Sequence, residues 1–255
     1  MAAKYKSHSI RSKWRKTKWL LKQPNLRRYV PRTLLFTRSH LNTMLASYST
    51  VFFKPTGGSG GNHIIKITKK SGSGGYHTQL NRKRSFHKSV DQLHRYLVSF
   101  ARGRSFLLQK GISLAKTRGR PFDIRVMVQK SNAGKWISTA LFAKIGKLGK
   151  VATNYNQGGT VGYFHHTLQG AGYSVARSRQ KERSLNWLGV EVGKNFDRNY
   201  KGFRELGLDV ALDHHGRPWI LEVNTRPQFY PLKHMSNRSL YQRMLKSGKQ
   251  YGRTR

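Results

Sequence analysis

The chain has 255 residues, 36% of them hydrophobic, with fifty Lys and Arg against nine Asp and Glu and a formal net charge of +41. This length allows one large domain or two small ones with a real core, and no run approaches the ~20 apolar residues of a membrane span. The lack of cysteine excludes disulfides and thiolate chemistry, while so basic a surface is expected to bind polyanions, nucleic acid included, either as incidental stickiness or to match an acidic substrate.

The N-terminus, MAAKYKSHSIRSKWRK, is basic without an apolar core behind it, so Sec export is not expected and the cytoplasm is the expected location. Residues 12–23 read as a basic amphipathic helix with Ser12 as N-cap and Trp14, Leu20 and Leu21 as apolar contacts. Pro24 and Pro31 bracket a connector. Ser39 is the expected cap of a second helix, in which Leu41, Met44, Leu45 and Tyr48 recur at helical spacing. A strand at 51–53, a glycine loop at 57–61 and a returning strand at 64–67 follow, with no helix opening after the glycines.

The Gly/Ser stretch at 71–75 reads as a hairpin turn and 81–88 as a polar, basic stretch. Ser89 starts a helix faced by Val90, Leu93, Leu97 and Phe100. Residues 106–109 form a short strand. In 122–129, Ile124, Val126 and Val128 alternate with Asp123, Arg125, Met127 and Gln129, and 136–145 reads as the antiparallel partner. A polar Asn/Gly loop is expected at 153–162, a long helix at 179–199, and strands at 206–213 and 219–224 around a His214-His215-Gly216-Arg217 turn. A basic helix closes the chain. The order predicts an α+β architecture with mainly antiparallel sheets.

Three groups of residues could carry chemistry. Lys54 beside the glycines at 57–61 could cradle phosphate, since successive backbone N–H groups approach an anion closely. The loop is not a P-loop, and a glycine-rich hairpin taken alone is more often just a flexible turn. Asp209, Glu222 and Asn224 form the second group. Glu222 and Asn224, at i and i+2, share a strand face while Leu221 and Val223 are expected in the core, and Asp209 sits on the preceding strand. Two carboxylates and an amide oxygen suit Mg²⁺; the same residues also read as a polar face paired with Arg or Lys. Three of the nine acids, Asp209, Asp213 and Glu222, fall between 209 and 222, which favours a cation site. The third is Arg125, placed to stabilise transferring phosphoryl oxygens or to pair with Asp123. The histidines lack zinc-ligand spacing and read as surface or turn residues.

The combination resembles the ATP-grasp superfamily. The carrying residues are Val51-Phe52-Phe53-Lys54-Pro55 with its glycine loop, Phe122-Asp123-Ile124-Arg125, Asn154 with Gly158-Gly159, Leu208-Asp209, and Leu221-Glu222-Val223-Asn224-Thr225-Arg226-Pro227. Over roughly residues 12–240 the chain looks most like the YheC/YheD group, described as associated with the endospore coat. The resemblance implies an ATP- and Mg²⁺- (or Mn²⁺-) dependent carboxylate–amine ligase, in which an acylphosphate formed from ATP yields an amide, with carboxylate and amine substrates unknown. It implies roles in ATP binding for Lys13, Lys54, Gly57, Gly58, Ser59, Gly60 and Gly61, with Gln109, Lys110, Gly111 and Ile112 as the hinge that reads adenine. Arg125 and Lys54 would be catalytic, Asp209, Glu222 and Asn224 would hold the metal, and Asn154, Gly158, Gly159 and Arg226 would lie near the acceptor. The alternative is a non-catalytic, polyanion-binding or spore-structural protein on the same scaffold.

The expected units are a basic segment and linker helix at 1–30, a small subdomain at 31–110, a catalytic subdomain at 111–235 and a basic tail at 236–255, lacking most of the family's usual N-terminal α/β domain. Two positions depart from relatives. Gln109-Lys110 stand where many carry acids, and Gly207 stands where D-alanine ligases carry arginine, so D-alanine is not the expected substrate.

Overall fold

Helix α1 (Lys13–Leu21) begins where the Ser12 hydroxyl accepts the Arg15 amide, as its sequence predicts. The expected connector holds a short α2 (Pro24–Arg27) and β1 (Thr33–Leu35). Thr37, not Ser39, caps α3 (Arg38–Ser47), because Thr37 has the extended backbone that lets its hydroxyl accept the His40 amide. Then come β2 (Thr50–Pro55), β3 (Ile65–Lys69), β4 (Tyr76–Leu80), β5 (Lys83–His87), α4 (Val90–Ala101) and β6 (Phe106–Lys110). The second half holds β7 (Lys116–Thr117), β8 (Arg120–Lys130), β9 (Trp136–Ile145), β10 (Thr160–Tyr163), α5 (Phe164–Gln169), α6 (Val175–Asn199), β11 (Glu205–Leu212), β12 (Pro218–Asn224), a 3-10 turn (Tyr230–His234) and α7 (Ser239–Lys249). The computed structural model describes residues 5–58, 62–70, 72, 74–147 and 158–253.

The strands form two antiparallel sheets. The smaller unit's sheet has the order β1-β6-β2-β3-β4-β5 and packs one face on α3 and α4 through Leu41, Met44, Val51, Phe53, Ile65, Leu93 and Leu97. The second has the order β10-β9-β8-β11-β12, with β7 paired to β8. One face carries Ile124, Val126, Val128, Leu208 and Val210 against Leu185, Leu188, Val192 and Phe196 of α6 and Trp19 and Leu20 of α1. Burial of that apolar face is the main stabilising term for the unit.

Two differences from the sequence reading matter for the site. Strand β8 is buried along both faces, because Phe229, Leu232 and Met244 of the C-terminal region cover Met127 while the rest of that face carries the charged cluster. In β12, Asp209 pairs with Glu222 but Val210 pairs with Ile220, so Leu221 is an extra, bulged residue. The core therefore takes Ile220 and Val223 rather than the expected Leu221. Strand β5 escaped the sequence reading because Lys83-Arg84-Ser85-Phe86 exposes every side chain, and its strand character comes from backbone pairing to β4.

Candidate functional site

The registers bring the residues of the second sheet together. Asp209 lies opposite Arg125 on one side and Glu222 on the other, and Asp123 lies opposite Lys144. Arg125 Nε donates to Asp209 Oδ1 at 2.7 Å, and Lys144 Nζ lies 2.9 Å from the same carboxylate and 3.0 Å from Asp123. All four side chains are buried. Burial alone would raise the Asp209 pKa, but the Arg125 and Lys144 charges outweigh it and hold the carboxyl well below its usual range. For Arg125, burial opposes the charge, yet the Asp209 carboxylate prevails and raises its pKa.

Lysines from the first unit and from α1 converge on this sheet. Lys54 is buried; its Nζ donates to Gln109 Oε1 at 2.6 Å and to Leu221 O at 3.2 Å, the carbonyl that the bulge turns out of the ladder. Lys13 Nζ donates to Gly58 O at 2.6 Å and pairs with Glu222 Oε1 at 3.2 Å. Lys16, one turn along α1, joins them in lining a recess of ≈ 10 Å³, room for about one water. Burial pushes the pKa of Lys16 and of Lys54 down to about 8, and the neighbouring Lys13 adds to the depression while Glu222 opposes it. Three lysines in one recess, two of them made easier to deprotonate by desolvation, suit a polyanionic ligand that would supply negative charge and favour their ammonium forms.

The residues expected to hold a divalent ion face one another across β11 and β12. Asn224 Nδ2 donates to Asp209 Oδ2 at 3.3 Å and Gly207 O at 3.4 Å, so the amide's carbonyl oxygen points the other way. Asp209, Glu222 and Asn224 lie on two adjacent strands; the amide would have to turn its oxygen towards the carboxylates to complete the all-oxygen set that Mg²⁺ prefers. No group of three or more His, Cys, Asp or Glu that could hold a metal is found among the described residues; this set has two carboxylates and an amide.

The remaining expected residues are more dispersed. Gln109 is buried, and its side chain bridges Lys54 and Thr33 Oγ1. The Lys110 and Gly111 amides donate to Arg32 O and Thr50 O, so they are taken up by the fold. The Lys110 ammonium lies between the rings of Tyr48 and Trp219, 5.2 and 5.3 Å from their centroids; Ile112 follows in the same crossing segment. Gly158 and Gly159 precede β10, with β9 and β8 between them and β11. Arg226 is exposed, with its guanidinium 5.0 Å from the Tyr5 ring centroid. Ser59, Gly60, Gly61 and Asn154 lie outside the described residues. Sequence reasoning missed Lys16 and Lys144. The signals were present: Lys16 is at i+3 from Lys13 on α1, and alternation in β9 puts Lys144 on the same sheet face as Asp123, directly across from it.

Comparison with known proteins follows this geometry. The sequence model described as YheC/D like ATP-grasp matches residues 3–254. Two curated relatives are the endospore coat-associated proteins YheD and YheC of Bacillus subtilis (strain 168). YheD is 29% identical over 223 residues, covering 85% of this chain and 48% of the relative. YheC is 24% identical over 204 residues, covering 78% and 55%. The chain thus spans about half the length of the curated relatives it matches. Among solved structures, N5-carboxyaminoimidazole synthase from Aspergillus clavatus, in complex with ADP, matches with a TM-score of 0.50 at 12% identity, over 86% of this chain and 45% of that one. The likeness is one of fold. Among the described residues no helix is long and apolar enough to cross a membrane.

Proposed function

The chain belongs to the YheC/D-like ATP-grasp family and has the ATP-grasp fold, and from that premise we propose that it is an ATP- and Mg²⁺-dependent carboxylate–amine ligase associated with the spore coat. The observation that carries this reading is the meeting of Lys13 with Glu222 and of Lys54 with the neighbouring Leu221 carbonyl: the glycine-loop residue Gly58 and the carboxylate strand β12 are joined by the Lys13 ammonium group.

In this reading a carboxylate oxygen of one substrate attacks the γ-phosphorus of ATP, ADP departs, and an acylphosphate results. The amine nitrogen then attacks the acyl carbon, phosphate leaves, and the nitrogen gives up a proton to yield the amide. Lys13, Lys16 and Lys54 neutralise phosphate oxygens, exchanging their present bonds to Gly58 O, Gln109 and Leu221 O for bonds to the anion. Gly57 and Gly58, at the start of the glycine loop, border it. The 109–112 segment joins the two sheets and borders the adenine, leaving recognition to groups other than the Lys110 and Gly111 amides. Arg125 and Lys144, held by Asp209 and Asp123, face developing charge on the transferring phosphoryl group. Asp209, Glu222 and, with its amide turned, Asn224 would hold Mg²⁺, which would neutralise phosphate charge. Asn154, Gly158, Gly159 and Arg226 border the acceptor. The chain's net charge of +41 favours a second reading, a non-catalytic polyanion-binding protein of the spore on the same scaffold.

Thermal unfolding with and without Mg-ATP separates them. The ligase reading expects stabilisation of about 3 kcal/mol at a hundredfold excess over Kd, a rise of several degrees, removed by Glu222→Ala. No rise in the unsubstituted protein would end the ligase reading and leave the second one.

A further inference from the structure

The face of the small sheet that carries Lys54 does not end at the recess. Registers place Phe52 opposite Gln109 and Lys66, Lys66 opposite Gln79, and Gln79 opposite Arg84. Two residues along, Thr68 faces His77, and His77 faces Phe86. In strands of period two these all project on one side, so the surface continues from the lysine recess across β3, β4 and β5. Unlike the opposite face, which packs on α3 and α4, its outer half is solvent-facing: His77 and Arg84 are exposed, Phe86 is 46% exposed, and the open concavity above them measures ≈ 510 Å³.

The aromatic groups there are held in place. The Phe86 ring lies over Gly75, where an added Cβ would come within 2.7 Å of it; the His77 ring centroid is 5.1 Å away, and Lys70 Nζ is 5.5 Å from the ring centroid. Lys66, Lys70 and Arg84 flank the two rings, and strands β3, β4 and β5 carry no Asp or Glu. Phe86 stands on the edge strand β5, where a ligand can reach it. Cations alone would suit any polyanion, but rings interleaved with cations on a flat sheet match a ligand with both phosphates and planar faces. A duplex buries its base faces by stacking, and an acidic polypeptide has none.

We propose that this outer sheet face, centred on His77 and Phe86 and bordered by Lys66, Lys70 and Arg84, binds single-stranded nucleic acid. Bases stack on the two rings and the phosphates run along the three cations. The surface is independent of the ligase reading and stands or falls without it.

Fluorescence anisotropy with labelled 20-nucleotide dT and rU strands at near-physiological salt tests it, with a 20-base-pair duplex and polyglutamate as competitors. His77→Ala/Phe86→Ala is expected to lose about tenfold or more in affinity for the single strands, with the slope of affinity against salt unchanged and duplex binding retained. Phe86→Trp is expected to keep single-strand affinity. Arg84→Glu should flatten the salt slope by about one unit. Because Phe86 is 46% exposed and also packs over Gly75, the melting temperature of the double variant is measured alongside, and affinities are compared below it; Phe86→Trp tests the ring without removing that packing. Unchanged single-strand affinity in the double variant would overturn the proposal in favour of diffuse charge attraction. Displacement by polyglutamate at equal charge concentration would overturn it in favour of an acidic polypeptide.

Discussion

Lys13 Nζ lies 3.2 Å from Glu222 Oε1 and 2.6 Å from Gly58 O, so a residue of the first helix bridges the glycine loop and the carboxylate strand. A long side chain held between two such partners is an organising contact as well as a charge. Lys13→Met removes a charge-assisted bond and leaves Glu222 without that partner. In the ligase reading it should weaken Mg-ATP binding by about tenfold to a hundredfold, the equivalent of ~1.5–3 kcal/mol for one bond to a charged group. Titration calorimetry measures this directly. An unchanged Kd would remove Lys13 from the nucleotide site.

Lys54 gives a prediction in pH. Burial lowers its pKa from 10.5 to about 8 in the folded chain. Between those values the unfolded chain binds more protons, so the stability contributed by this group rises with pH across the window and its full deficit is present below about 8. The difference in unfolding free energy between the parent and Lys54→Met should therefore shift towards the parent by up to about 3 kcal/mol from pH 8 to pH 10.5. A polyanion in the recess reverses the depression. At pH 8.5, Mg-ATP binding should take up protons, seen as a buffer-dependent binding enthalpy that shrinks in Lys54→Met. Buffer-independent enthalpy in the parent would contradict it.

Lys144 serves two buried carboxylates, Asp123 and Asp209. Removing it leaves Asp209 with Arg125 and deprives Asp123 of its registered cation. A broken buried pair costs about 3–5 kcal/mol, so Lys144→Met should lower the melting temperature by roughly ten degrees. Asp209 has a folded pKa below its unfolded 3.8, so its contribution is present above that value and lost as pH falls through the folded one. With one cation gone the folded value rises, and the acid unfolding midpoint should move to higher pH. Lys144→Arg, which keeps the charge, should restore that midpoint.

Much of this geometry was legible because the periodic signals were strong. Strand β9 has the expected bounds, Ser12 and Ser89 cap the helices they were assigned to, and Asp209 meets Glu222 across a hairpin that the His214-His215-Gly216-Arg217 turn announces. What stayed hidden depends on tertiary contact. A bulge has no pattern of its own, so alternation alone sends Leu221 to the core, whereas its carbonyl meets Lys54. Thr37 and Ser39 are equivalent as letters; only backbone conformation selects the cap. Lys16 and Lys144 looked like two more solvated cations in a chain full of them, and their burial follows from sheets and helices packing together. The Arg253 and Glu205 pairing, across 48 positions, has no sequence signal at all.

That pairing fastens the C-terminal segment beneath the site. Glu205 is fully buried and accepts from Arg253 Nη1, from Tyr5 Oη at 2.7 Å and from Tyr251 Oη at 2.9 Å, while Arg253 Nη2 donates to Pro227 O at 2.7 Å. Burial raises the Glu205 pKa despite these partners and despite the Arg253 charge. Arg253→Met would leave the carboxylate uncompensated, at a cost of about 3–5 kcal/mol. Glu205→Gln in that background should recover much of the loss, because a neutral amide needs no counter-charge. A double-mutant cycle by denaturant unfolding reads the coupling; simple additivity would show that the two groups do not stabilise each other.

Two glycines near the site separate shape from charge. A Cβ on Gly207 would come within 2.6 Å of Pro227 Cβ and 3.2 Å of both Arg125 Cδ and Met127 Sδ, whereas one on Gly57 would meet nothing within 4 Å. The same crowding explains why arginine has no room at position 207. Gly207→Ala must push on the 225–228 segment, whose Gln228 carbonyl accepts from Arg125 Nη1 at 3.2 Å. Overpacking of this kind costs about 1–3 kcal/mol, and the displaced carbonyl should loosen the guanidinium that the ligase reading aims at the phosphoryl group. Gly57→Ala should unfold within about 0.5 kcal/mol of the parent, so any loss of Mg-ATP affinity it causes reports on the loop's approach to phosphate. Equal stability of the two variants would mean that Pro227 yields freely, and that the 225–228 segment does not fix Arg125.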